Sequence, residues 1–292
     1  MTATINSQEK NRSRLQQRFD RLATDFDNND FLHAEVRGRL LDRLPLFRLD
    51  PERILDLGCG TGGSRAVLSR HFPEVATYYL DLSEKMAASA GRGGICADAT
   101  RLPFPDNSFD LIISNFMLHY VADLPAAIRE ANRVLRYGGL FLFSIAGSET
   151  LHEIRDAWSF DKHPHVDGLP DLKTVGDVVT SASLTDPVLD SEVITVTYSS
   201  FDKMVNEISL VSAARDIGQR RQGLTGKTLW STMRANCEAN RDADDRLPVS
   251  IEVIYGHAFG GKLQDANKTA PETVEVPLSQ LLGRGPRKMT ND

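Results

Sequence analysis

Cysteine is scarce in this chain of 292 residues: Cys59, Cys96 and Cys237 lie far apart and form no C-x-x-C pair. A disulfide framework is excluded, and a reducing compartment, the cytoplasm, is the expected setting. No apolar run is long enough to span a bilayer, so no membrane partner is expected. Positive charge is not in excess. Lys and Arg number 34 against 40 Asp and Glu, a net charge of −6, which argues against general nucleic-acid binding. Metal-ligand spacing is lacking too: His152, His163 and His165 have no supporting pattern, and no metal is expected. Gly226-Lys227-Thr228 lacks the leading glycine of a phosphate loop, a position held by Arg221. The N-terminus has no hydrophobic signal core. Residues 1–18 carry Lys10, Arg12, Arg14 and Arg18 against Glu9, with no cleavage pattern, and a helical arm is expected.

What the chain does contain is organised around Arg53-Ile54-Leu55-Asp56-Leu57-Gly58-Cys59-Gly60-Thr61-Gly62-Gly63. Apolar Ile54, Leu55 and Leu57 predict a buried strand. The glycines let the backbone turn and approach a ligand closely. A helical pattern follows from Ser64 to His71. Strand, glycine loop and helix open a nucleotide-binding α/β domain. Gly58, Gly60 and Gly63 satisfy G-x-G-x-x-G, but Asp56 ends the strand just before them and would repel a pyrophosphate. Gly62 opens the loop further. The string resembles motif I of the class I S-adenosylmethionine (SAM) methyltransferases, D-L-G-C-G-T-G. SAM carries an ammonium and no phosphate, so a nearby carboxylate suits it. The resemblance implies a Rossmann-like α/β fold with a seven-stranded, mostly parallel sheet, N-terminal cap helices and a helical insertion before the last strand.

Along the chain, residues 14–44 predict a helix with the stripe Leu32, Val36, Leu40, Leu41 and Leu44, capped by Asp30 and lying over the SAM loop. Residues 1–48 are thus a helical cap. Strand 2 is expected at Val75–Leu80, followed by Asp81, about twenty residues past the glycines, where an acid holds ribose hydroxyls with Leu82 beside it. Ser83 caps the next helix. A short strand, Gly94–Ala97, ends at Asp98. The resemblance places Asp98 on the adenine amino group and a backbone contact at Ala99. Phe109–Asn115 is strand 4, and the resemblance places Ser114 and Asn115 beside the methionine part of SAM. Phe116, Met117, His119 and Tyr120 face the reacting methyl, the substrate or the core. Asp123 caps an amphipathic helix stopped by Gly138 and Gly139, and Leu140–Ile145 is a buried strand. Helix Val175–Ser183, strand Val193–Tyr198, helices Phe201–Ala214 and Leu224–Asn240, and strand Val249–Phe259 complete the domain over 49–260. The insertion at about 200–245 is expected to act as a lid. Residues 261–292 read as a polar tail.

From the helix at residue 31 to Phe259 the chain is similar to the malonyl-acyl-carrier-protein methyltransferase family of biotin synthesis. The runs are Leu135-Arg136-Tyr137-Gly138-Gly139-Leu140-Phe141, Ser148-Glu149-Thr150-Leu151-His152-Glu153, His163-Pro164-His165-Val166, Arg221-Gln222-Gly223-Leu224-Thr225-Gly226 and Glu252-Val253-Ile254-Tyr255-Gly256-His257. Two positions depart: Phe26 stands where the family carries a tyrosine, and His33 where it carries a glutamine. The resemblance implies methyl transfer from SAM to the free carboxyl of malonyl-acyl-carrier protein. A carboxylic acid is ionised at neutral pH and needs no general base, so no catalytic dyad is expected. A cation is expected on the malonyl carboxylate, with Arg155 the candidate and His119 and Tyr120 nearby. Arg215, Arg220, Arg221 and Lys227 form a basic cluster that could dock an acidic carrier. Two alternatives stay open: an assembly factor of respiratory complex I on the same core, or methylation of another small carboxylate or quinone precursor.

Overall fold

In the computed structural model, which describes residues 2–163, 165, 166, 168–211 and 225–261, seven strands form one sheet. They are β1 Arg53–Leu57, β2 Ala76–Asp81, β3 Gly94–Cys96, β4 Phe109–Ser114, β5 Leu135–Ala146, β6 Thr185–Tyr198 and β7 Leu247–Phe259. Their spatial order is β3-β2-β1-β4-β5-β7-β6. The first five pair in parallel, and β7 runs antiparallel between β5 and β6. The chain builds outward from β1 to β2 and β3, then returns to the other side for β4. That reversal opens a crevice at the carboxyl ends of β1 and β4, where open α/β sheets bind ligands.

The apolar strands are buried because helices cover both faces. Ile54, Leu111, Ile113, Leu140 and Leu142 pack into one layer. Leu55, Ile112, Phe141, Phe143 and Ile145 pack into the other. On the first face, Ile251, Val253 and Tyr255 of β7 continue the layer, as their spacing predicts. Helices α4 Arg65–His71, α5 Glu84–Ser89 and α6 Leu124–Val134 link the parallel strands. Two of the expected caps form: Ser83 Oγ accepts from Met86 N at 3.1 Å, and Asp123 Oδ1 accepts from Ala126 N at 2.9 Å.

The structure corrects several boundaries. The single helix expected over 14–44 is three: α1 Thr2–Leu22, α2 Phe26–Asn29 and α3 Phe31–Leu41. Short polar side chains crowd the breaks and compete for the backbone; Asn29 Nδ2 donates to Asp25 O at 3.0 Å. Asp30 stands at the start of α3 but does not cap it. Its carboxylate accepts from Arg37 instead, at 3.3 Å. The stripe Leu32, Val36, Leu40, Leu41 and Leu44 is buried as expected. Gly138 and Gly139 do not stop α6, which ends at Val134 and runs straight into β5. Asn107 N and Ser108 N, just before β4, donate to the carbonyls of Arg133 and Val134 and terminate the helix there. Strand β6 begins at Thr185, well before the expected Val193. Its first half is polar and exposed at the sheet edge, so it shows no apolar alternation. Arg43, just past the end of α3, grips Asp190 with two bonds of 2.6 and 2.8 Å, and Arg39 of α3 holds Glu192 at 2.6 Å.

Helix α7 His152–Ala157 follows β5, α8 Leu172–Ser181 precedes β6, and α9 Phe201–Val211 and α10 Lys227–Glu238 stand between β6 and β7. The insertion therefore sits where the sequence puts it. The ends expected at Ala214 and Leu224, and the tail beyond Gly261, lie outside the described residues.

Candidate functional site

A cavity of about 540 Å³ opens across the carboxyl ends of β3, β2, β1 and β4. That is the range of a small-molecule site. Its roof is α1, which contributes Arg12, Leu15 and Phe19. The expected cap is therefore in place, but the residues doing the covering lie N-terminal to the apolar stripe. Among the described residues of the insertion, none lines the cavity.

The glycine loop is held against β2. Gly58 N and Cys59 N donate to Leu80 O at 2.7 and 3.0 Å. Gly58 has φ +77°, and a Cβ there would overlap the Met117 side chain. Only glycine meets both demands. Gly60 N donates to Asp81 Oδ2 at 3.0 Å, and Ser83 N donates to Asp81 Oδ1 at 2.8 Å. Asp81 thus ties the loop to the start of α5 and still faces the cavity. Burial pushes its carboxyl up to about 6, against the pull of those two N–H donors.

Asp56 and Gly62 are not cavity residues. Asp56 is buried beneath the loop, where the Ser64 hydroxyl donates to its carboxylate. Burial raises its carboxyl to about 6 as well. Gly62, at φ +89°, is packed on Ala90. Both shape the loop from behind. Cys59 is also buried, and desolvation with Asp56 and Asp81 nearby raises its thiol, which removes it as a nucleophile.

Asp98, Ala99 and Leu82 line the β3 and β2 side of the cavity. Asp98 Oδ1 accepts from Thr100 N and Thr100 Oγ1, both at 2.8 Å. Its Oδ2 lies 3.1 Å from Arg12 Nε of the roof helix. A second polar fastener is Asp20, whose Oδ1 accepts from Ser83 Oγ at 2.5 Å.

At the β4 end, Asn115 lines the cavity, while Ser114 is buried in the sheet behind it. Asn115 Nδ2 donates to His33 O at 3.1 Å, and Ser144 Oγ donates to Asn115 Oδ1 at 3.0 Å. Phe116 carries φ +48°, a strained conformation for a bulky residue and one that recurs at functional sites. Phe26 and His33, the two departures noted in the sequence, both line this end. Tyr120 lines it too, its ring 5.2 Å from Phe19 of the roof, and burial raises its hydroxyl. His119 is fully buried beside Tyr120, and its Nδ1 accepts from Ala146 N at 3.4 Å, so it supports the wall.

Arg155 does not reach the cavity. Its guanidinium donates to Ser148 O and Thr150 O at 2.9 and 3.2 Å and holds the loop after β5. The expected cation on a substrate carboxylate is not this residue. Of the basic cluster, Lys227 is exposed at the start of α10. Arg215, Arg220 and Arg221 lie outside the described residues. His163 and His165 converge on Asp161, at 3.2 and 2.9 Å, and His165 stacks on Trp158 at 3.6 Å. No helix among the described residues is long and apolar enough to cross a membrane.

Sequence reasoning missed Arg12 and Phe19 of α1 as wall residues. Their only signal was a polar helix with one aromatic, which any surface arm can carry. The donor set suits SAM. Two carboxylates face the cavity at the β2 and β3 ends, where hydroxyl and amino donors need acceptors. Gly60, whose Cβ would meet nothing closer than Phe26 at 3.7 Å, leaves open space beside them.

A family model described as a methyltransferase domain matches residues 55–143. Malonyl-acyl-carrier-protein O-methyltransferase 1 of Coxiella burnetii is 36% identical over 262 residues, covering 90% of this chain and 93% of that protein. The YcgJ protein of Bacillus subtilis has the same fold, with a TM-score of 0.56 at 16% identity, covering 78% of this chain and 99% of the other. Phosphoethanolamine N-methyltransferase 2 of Haemonchus contortus, solved with phosphomonomethylethanolamine and S-adenosylhomocysteine, gives 0.52 at 17% identity, covering 85% of this chain and 60% of that one.

Proposed function

Because the chain belongs to the malonyl-acyl-carrier-protein O-methyltransferase family, we propose that it methylates the free carboxyl of a malonyl thioester on acyl carrier protein. The product is the methyl ester, an early intermediate of biotin synthesis. The chain is a SAM-dependent methyltransferase.

The observation that carries the substrate reading is the contrast between the two ends of one cavity. The β2 and β3 ends present Asp81 and Asp98, which repel an anionic acceptor. The β4 end presents Phe26, Phe116 and Met117 with His33 and Asn115. The acceptor carboxylate therefore belongs at the β4 end.

When bound, SAM supplies a methyl group on a sulfonium. Asp81 would accept hydrogen bonds from the ribose hydroxyls, Asp98 and Ala99 would hold the adenine, and the Gly58–Gly60 turn would take the amino-acid end. With SAM in place, an acceptor carboxylate held at the β4 end would take that methyl, forming an O–C bond as the C–S bond is lost with its electron pair left on sulfur. No proton moves, so no base is needed. One negative and one positive charge vanish together. A dry apolar wall favours such a step, because water stabilises the separated charges more than the transition state. Phe26, Phe116 and Met117 supply that wall.

The carrier docks on the basic cluster of the insertion in this reading, with Lys227 at its described edge. A reducing, cytoplasmic setting suits three thiols of which Cys96 is exposed. The test is genetic. Expression in a biotin-requiring bacterium lacking its own malonyl-carrier methyltransferase should restore growth without biotin. Loss of that rescue in the folded Asp81→Asn variant should follow. Failure of the wild-type gene to restore growth, with the protein present, would count against the reading.

A further inference from the structure

We infer that His33 binds the acceptor's carboxylate through a neutral imidazole N–H at the β4 end of the cavity, in the place where a cation was expected. The inference rests on the malonyl reading and names the residue that recognises its distinguishing group.

The geometry places the ring well. His33 is buried, 7% exposed, and lines the cavity. Phe26 flanks it at 5.3 Å and Phe116 at 5.5 Å, both edge-on. Phe26 in turn faces the Gly60 turn, 3.7 Å from where a Cβ of that residue would stand. The imidazole thus sits between the glycine loop and the strained end of β4. Its own carbonyl accepts from Asn115 Nδ2 at 3.1 Å, which locks α3 to that strand end. Neither ring nitrogen hydrogen-bonds another described residue. A buried polar ring left without a protein partner and facing a cavity is arranged for a ligand.

The sheet order decides which ligand. Asp98 and Asp81 stand at the ends of β3 and β2, and the glycines after β1; of the other two acids that line the cavity, Glu9 is on the roof helix and Asp123 caps α6 through Ala126 N. The β4 end is the next position along, where the methyl acceptor must enter. A carboxylate there faces two aromatic rings, a methionine and His33. Arg37, one turn further along α3, is turned toward Asp30 at 3.3 Å and packs over Gly63. It does not line the cavity.

A neutral donor also suits the chemistry better than a cation. An adjacent guanidinium would stabilise the ionic reactant more than a transition state that is losing its charge. An imidazole N–H orients the carboxylate without that penalty. Burial and the nearby Arg37 charge push the imidazole down to about 4, so the ring is neutral at physiological pH.

Three proteins test this: wild type, His33→Leu, which keeps the packing and deletes the donor, and His33→Gln, which restores an N–H. SAM affinity is measured by calorimetry. Affinity for malonyl- and acetyl-loaded carrier is measured with S-adenosylhomocysteine present, and KM and kcat are measured separately. His33→Leu should raise KM for malonyl carrier roughly 10- to 100-fold, the loss of a hydrogen bond to a charged group. Its SAM affinity should stay within about twofold, and His33→Gln should recover most of the KM. Acetyl-carrier binding should not change. The imidazole 15N resonances of wild type should shift with malonyl carrier and not with acetyl carrier, a readout independent of how the variants fold. An unchanged KM, a fall in SAM affinity that parallels the KM, or no resonance shift would overturn the assignment. Wild-type protein that treats malonyl and acetyl carriers alike would instead overturn the malonyl reading itself.

Discussion

Arg12 Nε of the first helix lies 3.1 Å from Asp98 Oδ2, at the end of β3. One member belongs to the roof of the cavity and the other to its floor. With Asp20 on Ser83 at 2.5 Å, the pair fastens α1 over the site. The roof is therefore fastened to Asp98 of the cavity wall and to Ser83 at the start of α5.

Loosening this fastener should affect the cofactor more than the fold. Arg12 is more than half exposed, so the ion pair adds little to stability. Arg12→Gln should leave the thermal midpoint within about a degree. The SAM dissociation rate in stopped flow should rise roughly 3- to 10-fold, as expected for a loss of order 1 kcal/mol. An unchanged rate would mean the helix is held by apolar contacts alone.

The proposed ribose contact of Asp81 predicts a pH limit on cofactor binding. Its carboxyl, raised to about 6, must be ionised to accept hydroxyl donors. SAM affinity should be flat above about pH 7 and weaken as pH falls below about 6, because the free protein then holds the proton that binding must expel. Asp56 titrates in the same range from beneath the loop. Asp81→Asn separates the two: affinity should drop roughly 10- to 100-fold at neutral pH, and the acid limb should flatten. Calorimetry from pH 5 to 8 reads both.

The same linkage acts on stability through His33, and it too weakens the protein as pH falls. Its imidazole, lowered to about 4, is neutral when folded, whereas the unfolded ring titrates near 6.5. The unfolded state binds more protons between those values, so this contribution to stability falls as pH drops from about 6.5 toward 4. Urea melts of wild type and His33→Gln should converge at acid pH, with the variant showing the shallower loss.

Gly58 is constrained twice, by φ +77° and by Met117. Gly58→Ala should lose about 1–2 kcal/mol from the left-handed backbone alone, and more from the overlap. Met117→Ala in the same chain should return the overlap part and leave the backbone part. Equal stability of the single and double variants would show that Met117 moves freely.

The basic cluster predicts salt-sensitive activity on the carrier-bound substrate. Reversing Arg220 and Arg221 to glutamate should raise KM for malonyl carrier and flatten its dependence on salt. Turnover of a small malonyl thioester should be unchanged. If the carrier KM is also unchanged, docking occurs elsewhere.

What the sequence made legible was local. Ile54, Leu55 and Leu57 with the glycines form one continuous strand and turn, and Asp81 follows at a fixed offset, so composition and spacing suffice. Asp98, Ala99 and Asn115 come to the cavity as expected. Asp56 and Gly62 share the motif but act from beneath: Asp56 is turned under the loop toward Ser64, and Gly62 is packed on Ala90. Arg155 was misplaced because the loop it holds depends on carbonyls of Ser148 and Thr150 that no periodicity reveals. The roof was hidden for a related reason. Arg12 meets Asp98 across more than eighty residues of chain, and such pairings leave no local pattern.

The most direct measurement incubates the purified protein with methyl-labelled SAM and either malonyl- or acetyl-loaded acyl carrier protein. Label should pass to the malonyl carrier alone and be released by mild base as methanol, the signature of a methyl ester. Label on both carriers, or on neither while SAM binds normally, would contradict the carboxyl methyltransferase account.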